Sequence, residues 1–191
     1  MEHGLRHRDK MSGWKIDRYK IRLVTFNLDS AIGAYNEGDL KTARRQCQAI
    51  LKKLKKSPDP EIYSSVHNIL AAVAVAEERP DLAITHCARG IKQYAGPHLF
   101  NTMSIACLKL NQPRKASRNI EEALRLLPDS TECIRNKVEI LIHLGRGEEV
   151  EILLKGRFSG EADDAFRLES LARLAGVHNQ HMGETLRYVA P

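Results

Sequence analysis

The sequence predicts an all-α fold, an α-α superhelix in which antiparallel helix pairs stack one after another. Three observations support it. Small residues recur at a nearly constant stride, Gly and Pro residues separate the predicted helices, and aromatic residues make up only 5% of the 191 residues while Ala and Leu are frequent. Small and straight-chain residues favour close helix packing, whereas sheets favour β-branched and aromatic side chains.

The stride is measured from a small or aliphatic residue in the first helix of each predicted pair. These residues are Ala31, Ala71, Ser104, Val138 and Ala172, separated by 40, 33, 34 and 34 positions. The long first step contains the basic, proline-interrupted stretch between Lys52 and Pro60. Twelve positions after each of the first four residues, the second helix of the pair carries Ala43, Ala83, Ala116 or Val150. Four positions after each of these lies Cys47, Cys87, Ile120 or Leu154. In the fifth copy these two slots hold Glu184 and Tyr188.

One pair cannot bury its own apolar faces, so a repeated pair predicts a stack of neighbours with a continuous core. The predicted helices are 14–37, 39–56, 61–77, 80–93, 98–110, 113–126, 131–144, 147–155, 162–175 and 180–189. They form a single repeat domain over 14–191, preceded by a leader, 1–13, that has no apolar pattern and is expected to be disordered.

The clearest copy of the repeat lies between Phe100 and Pro128. Its pattern-bearing residues are Phe100, Met103, Ser104, Cys107, Ala116, Ile120, Ala123 and Pro128. Their offsets are those of the pattern W-x-x-L-G-x-x-Y, A-x-x-x-F, P, so the segment resembles the tetratricopeptide repeat (TPR) family, without that family's Trp and Tyr. The resemblance implies about five repeats, near 24–57, 64–96, 97–130, 131–160 and 164–191.

The resemblance also implies a concave groove, lined by the first helix of each pair, that binds a peptide or a helix of a partner protein. The implied lining is Leu28, Ile32, Tyr35, Asn68, Ala72, Val75, Asn101, Ile105, Leu108, Arg135, Glu139 and Ile142. An Asn in such a groove can hold a peptide backbone as both donor and acceptor. The alternative for the apolar slots is that they are core residues. The cationic clamp that related chaperone-binding repeats use for a C-terminal carboxylate is absent, because its slots hold Leu28, Ile32, Thr102, Glu132 and Asn136.

The basic residues are concentrated near the N-terminus. Residues 1–57 hold 14 Lys or Arg against 6 Asp or Glu, within a chain of net charge +6. A candidate basic patch on the second predicted helix consists of Lys41, Arg44, Arg45, Lys52, Lys53, Lys55 and Lys56. Such a patch can dock an acidic protein, an anionic lipid or a nucleic acid, or it can be a solvated helix face. Few aromatic residues accompany it, which argues against nucleic acid.

No pattern of residues indicates catalysis, a metal or another cofactor. His178 and His181 have no acidic or Cys neighbour that would complete a metal site. Cys87 falls in a core slot, and its neighbour His86 diverges from it by about 100° on a helix, so the two cannot form a nucleophile–base pair. The four scattered cysteines are expected to be reduced and buried, as in a cytoplasmic protein without a secretory signal.

The sequence therefore predicts a non-catalytic protein-interaction scaffold or adaptor. Two alternatives remain open. Residues Glu61 to Leu127 are similar to the three-repeat chaperones of type III secretion translocators, although those proteins are usually acidic and shorter. The basic N-terminal end could instead bind nucleic acid or an acidic partner.

Overall fold

A computed structural model describes residues 26–54, 59–157, 166–167, 169–174 and 176 of the chain. All regular secondary structure within these residues is helical. The helices are α1 (26–36), α2 (Leu40–Leu54), α3 (Pro60–Ala76), α4 (Pro80–Gln93), α5 (Pro97–Lys109), α6 (Pro113–Leu126), α7 (Thr131–His143), α8 (Gly147–Arg157) and α9 (166–176, with gaps at 168 and 175). From α2 to α8 the observed ends lie within three residues of the predicted ends. The leader, the start of the first predicted helix, the last predicted helix, Lys55, Lys56, His178 and His181 lie outside the described residues.

Proline residues and side-chain caps start the helices where the sequence predicted. Pro60, Pro80, Pro97 and Pro113 begin α3 to α6, where a proline loses no hydrogen bond and supplies a helical φ. The carboxylate of Asp59 accepts hydrogen bonds from the backbone N–H groups of Glu61 and Ile62, both at 3.0 Å. The hydroxyl of Ser130 accepts one from Cys133 at 3.3 Å. Each cap satisfies N–H groups that have no partner within the helix.

The turn inside each pair has the same geometry in all four described pairs. One residue of each turn has a left-handed backbone: Gly38 (φ 80°), Glu78 (φ 56°), Asn111 (φ 54°) and Gly145 (φ 68°). The next residue donates its N–H to a carbonyl five residues earlier, at 2.8 to 3.0 Å. This is the Schellman ending of a helix, and it recurs here at the stride of the small residues.

The repeat positions form the contact surface between helices. Ala31, Ala43, Ala71, Ala83, Ser104, Ala116, Val138 and Val150 are each at most 1% exposed. The late core slots Cys47, Cys87, Ile120 and Leu154 are buried as well. The fifth copy differs, since Ala172 is exposed. The helix that was predicted to cover it, 180–189, lies outside the described residues.

The core consists of four apolar clusters that follow one another along the stack. The buried residues of the first come from α1, α2 and α3, those of the second from α3, α4 and α5, those of the third from α5, α6 and α7, and those of the fourth from α7 and α8. Half-buried residues of α6 and α9 pack against the fourth cluster. Every first helix from α3 to α7 therefore contributes to the cluster before it and to the cluster after it. The predicted all-α superhelical repeat is confirmed.

Candidate ligand-binding groove

The twelve residues predicted to line the groove all lie on the first helices of the pairs. Three come from each of α1, α3, α5 and α7, at positions i, i+4 and i+7. Side chains with this spacing share one face of a helix. Since α3 contacts α5 and α5 contacts α7, these faces are arranged in sequence along the stack.

Their exposure divides the predicted lining into two sets. Ile32 is 40% exposed, and nine others are half-buried. These nine are Leu28, Tyr35, Asn68, Ala72, Val75, Ile105, Leu108, Arg135 and Glu139. Asn101 and Ile142 are only 3% and 2% exposed, so their side chains lie within the protein. Of the twelve residues in the predicted lining, the other ten are accessible to solvent.

Several apolar members of this surface also pack on the core. Leu28 and Tyr35 contact the first cluster, Val75 the second and Leu108 the third. Each is half-buried, so one part of the side chain contacts the core while another part is accessible. The core interpretation therefore holds in part for these side chains, and their contact with a ligand stays a prediction.

Polar side chains connect successive first helices along this face. The hydroxyl of Thr102 donates to the Asn68 carbonyl oxygen at 2.8 Å, which joins α5 to α3. The amide of Asn101 donates to Glu132 and its carbonyl oxygen accepts from Asn136, both at 2.8 Å, which joins α5 to α7. Both oxygen and nitrogen of the buried Asn101 are therefore bonded, so the residue contributes to cohesion between repeats.

The same kind of connection continues towards the C-terminal end. The two oxygens of Glu139 accept hydrogen bonds from the guanidinium of Arg173, which joins α7 to α9. The guanidinium carbon of Arg135 lies 4.6 Å from the centre of the Phe166 ring, a cation–π contact between the same helices. Thr102, Glu132 and Asn136 were considered in the sequence only as slots that lack cations. The signal for their structural role was their spacing, because Asn68, Thr102 and Asn136 follow one another at intervals of 34 residues.

The candidate basic patch lies on α2 as far as it is described. Lys41, Arg45, Lys52 and Lys53 are exposed. Arg44 is half-buried and forms an ion pair with Glu77, the residue that follows α3, so its charge is balanced within the protein.

The cysteines are thiols in apolar surroundings. All four are free and buried. Burial raises the pKa of Cys47 and that of Cys87 to about 12, which keeps both thiols neutral at physiological pH. Within the described ranges, His, Cys, Asp and Glu residues form no group of three or more that could hold a metal. None of the described helices combines the length and hydropathy that crossing a membrane requires.

A pair of histidines was missed by the sequence analysis. Nδ1 of His67 in α3 lies 3.0 Å from Nδ1 of His86 in α4, within hydrogen-bonding distance. The residues are 19 positions apart, and each faces the other because α3 and α4 are the two helices of one pair. Their slots in the repeat could have indicated this proximity.

Comparison with known proteins bears on the fold. No protein-family model and no curated protein sequence matches this chain. One similar solved structure is that of YrrB, a TPR protein with an unusual peptide-binding site; it is 18% identical, the similarity covers 82% of this chain and 87% of that one, and the TM-score is 0.56. At this identity the likeness concerns the fold. Repeated helix pairs, a recurring turn, buried small residues and this structural neighbour together show that the chain has the TPR fold.

Proposed function

We propose that this chain is a non-catalytic interaction scaffold that binds a peptide or an amphipathic helix of a partner protein in the groove lined by its first helices. The observation that supports the proposal is a run of accessible apolar side chains on the first helices of three consecutive pairs. It consists of Ile32, Ala72, Val75, Ile105 and Leu108. Segments with apolar residues at alternating or helical spacing bind to such surfaces.

The polar groups beside this run suit a polypeptide ligand. Asn68 is half-buried, and its carbonyl oxygen accepts one hydrogen bond, from Thr102. An amide nitrogen with two N–H groups and an oxygen with a second lone pair leave it able to bond a peptide backbone. The bonds between α3, α5, α7 and α9 hold the first helices in register, which lowers the entropic cost of binding across several repeats.

The test uses a phage-displayed peptide library selected against the full chain, followed by affinity measurement with the selected peptides. Ala72→Glu and Ile105→Glu place a carboxylate among the apolar groove side chains. Ile152→Glu is the matched control, because Ile152 is 69% exposed on α8, a second helix. We expect each groove variant to weaken peptide binding at least tenfold, since an unpaired charge loses its hydration when the ligand covers it.

The control variant should retain the affinity of the unmodified chain. Equal weakening by Ile152→Glu, or full affinity in both groove variants, would place the peptide site elsewhere on the protein. Circular dichroism of every variant separates loss of binding from loss of structure.

A second candidate function is docking of an acidic partner or a nucleic acid on α2. It is supported by the four exposed cations Lys41, Arg45, Lys52 and Lys53 on that helix. Binding that depends on these charges falls steeply with salt because counterions are released. Retention of the chain on DNA or RNA should then fall between about 50 and 200 mM salt, and charge removal at Lys52 and Lys53 should reduce it. Retention that does not change with salt would refute this function. The resemblance to secretion chaperones adds no separate support, because one fold serves many binding proteins.

A further inference from the structure

We propose that the cleft between α2 and α4, away from the groove, binds a small organic anion. The cleft has a volume of about 290 Å³, with α3 as its floor. Its charged and titratable lining consists of Arg44, His67, Glu77, Arg79, His86 and Arg89.

The charge of the cleft is positive and largely uncompensated. Arg44 is neutralised by its ion pair with Glu77. Arg79 and Arg89 are exposed, and across the part of the chain that the structure describes neither guanidinium forms an ion pair. Both arginines line the cleft, and a guanidinium group favours a carboxylate or a phosphate, which it can bind with paired hydrogen bonds.

The histidine pair adds a neutral hydrogen-bonding group to the same wall. Nδ1 of His67 and Nδ1 of His86 are 3.0 Å apart, so one of the two nitrogens carries a proton and donates a hydrogen bond, which the other nitrogen accepts. The accepting ring must then hold its own proton on Nε2, where it can donate to a ligand. The pKa of His86 is lowered, mainly because the ring is buried and secondly because Arg89 is positively charged. The pKa of His67 is lowered to about 4, mainly by burial and then by the neighbouring His86 and Arg89.

A metal ion fits this wall less well than an anion. Two imidazole nitrogens 3.0 Å apart could share a cation, but a zinc site needs three or four protein ligands. No third His, Cys, Asp or Glu completes such a group among the described residues. The guanidinium groups of Arg79 and Arg89 at the same cleft would also repel a cation.

Apart from Gln48 of α2, the rest of the cleft lining is apolar. Leu70 and Val73 of α3, Leu51 of α2 and Leu82 of α4 contribute to the lining. A pocket with an apolar wall and a few converging polar groups is typical of small-molecule sites, and about 300 Å³ is the lower end of their size range. The chemistry therefore points to an anionic group attached to a small apolar body.

This site is separate from the proposed groove although both use α3. An α-helix turns by about 100° per residue, so Leu70 lies roughly 200° around α3 from Asn68. The groove surface is formed by first helices, whereas the cleft is bounded by the second helices α2 and α4. Occupancy of one site does not require occupancy of the other, and the failure of either proposal leaves the other intact.

Phenyl phosphate is a suitable probe, because it joins an anion to a small apolar ring. Calorimetric titration of the full chain at pH 7.5 would be carried out with phenyl phosphate, inorganic phosphate and phenol. We expect saturable binding of phenyl phosphate and affinity at least tenfold lower for either half-molecule. Arg79→Gln combined with Arg89→Gln should weaken phenyl phosphate binding at least tenfold, since each guanidinium contributes a charge-assisted hydrogen bond.

Arg118→Gln is the matched control, because Arg118 is exposed on α6 and does not line the cleft. It should leave the affinity unchanged. Proton NMR of the unmodified chain gives an independent measurement, in which the ring signals of His67 and His86 should shift with the same saturation curve. Absence of saturation, equal weakening by Arg118→Gln, histidine signals that do not move, or inorganic phosphate binding as tightly as phenyl phosphate would overturn the proposal.

Discussion

Two glycines in helix interiors offer a quantitative test of the packing between repeats. Gly90 lies in α4, where a Cβ atom would be 2.7 Å from Cδ1 and 3.0 Å from Cδ2 of Leu99, and 3.3 Å from Cβ of His67. Gly33 lies in α1, and a Cβ there would meet nothing within 4 Å. Neither residue has a positive φ, so Ala is compatible with both backbones.

The expected free energies follow from these distances. Replacing Gly by Ala in a helix interior raises the free energy of unfolding by about 1 kcal/mol, and Gly33→Ala should show this gain. Gly90→Ala has the same gain, but its methyl group approaches Leu99 more closely than the ordinary carbon–carbon separation of about 3.5–4.0 Å. Leu99 is 1% exposed and has little room to move. Overpacking of this kind costs about 1–3 kcal/mol, so Gly90→Ala should be neutral or destabilising by up to about 2 kcal/mol.

Thermal unfolding followed by circular dichroism measures the difference between the two variants. For a chain of this size about 1 kcal/mol corresponds to 2–4 °C in Tm. Gly33→Ala should therefore raise Tm by about 2–4 °C, and Gly90→Ala should leave it unchanged or lower it. An equal rise in both variants would refute the close contact between the second helix of one pair and the first helix of the next.

Three further predictions concern the core, the polar connections and pH. Ala116→Leu should lower the free energy of unfolding by about 1–3 kcal/mol through overpacking, whereas Ala88→Leu on the exposed side of α4 should change it by less than about 0.5 kcal/mol in urea titrations. Asn101→Ala should cost about 1–3 kcal/mol in the same assay, because it removes a buried amide that is hydrogen-bonded to both Glu132 and Asn136; an unchanged midpoint would show that the bonds to α7 contribute nothing. The pKa of His67 is lowered to about 4 and that of His86 is also lowered, so the unfolded chain binds protons first as the pH falls. The free energy of unfolding should then decrease between about pH 6.5 and pH 4, and His67→Gln should reduce this decrease; the same decrease in the variant would contradict the assignment.

The helical pairs could be predicted from the sequence because their determinants are local or periodic. Proline residues, caps and turn residues act within a few positions of where they stand, and the small residues recur at a stride that is visible without a structure. Residues such as Ala83 and Ala116 were therefore placed correctly in the core. Glu78 shows the limit of this reasoning. Its left-handed backbone is the one that Gly38, Asn111 and Gly145 adopt in other repeats; Gly and Asn are typical of that conformation, whereas Glu gives little sign of it.

The burial of the side chains on the predicted groove face was harder to predict. The position of a residue in a helical repeat indicates the face on which its side chain lies, but not how far neighbouring residues cover it. Asn101 and Ile142 occupy the same slots as half-buried residues in other repeats, yet both are buried. Asn101 is buried because Glu132 and Asn136 of the next repeat supply partners for its amide. The state of a slot thus depends on the residues that the following repeat presents to it, which lie about 30 to 35 positions away.

The histidine pair illustrates the same dependence across the two helices of one repeat. In the sequence, His86 stands beside Cys87, and the question that arises is whether these neighbours can act together. In the fold, Cys87 faces the core, while His86 faces His67 at the floor of the cleft. The partner of His86 is therefore not its sequence neighbour but a residue of the antiparallel helix α3. The arginines that line the same cleft include Arg44 of α2 and Arg89 of α4. In a repeat array, then, the groups that can bind a ligand together are those that face each other on neighbouring helices. They stand far apart in the sequence, and their proximity can be seen only when the repeats are aligned with one another.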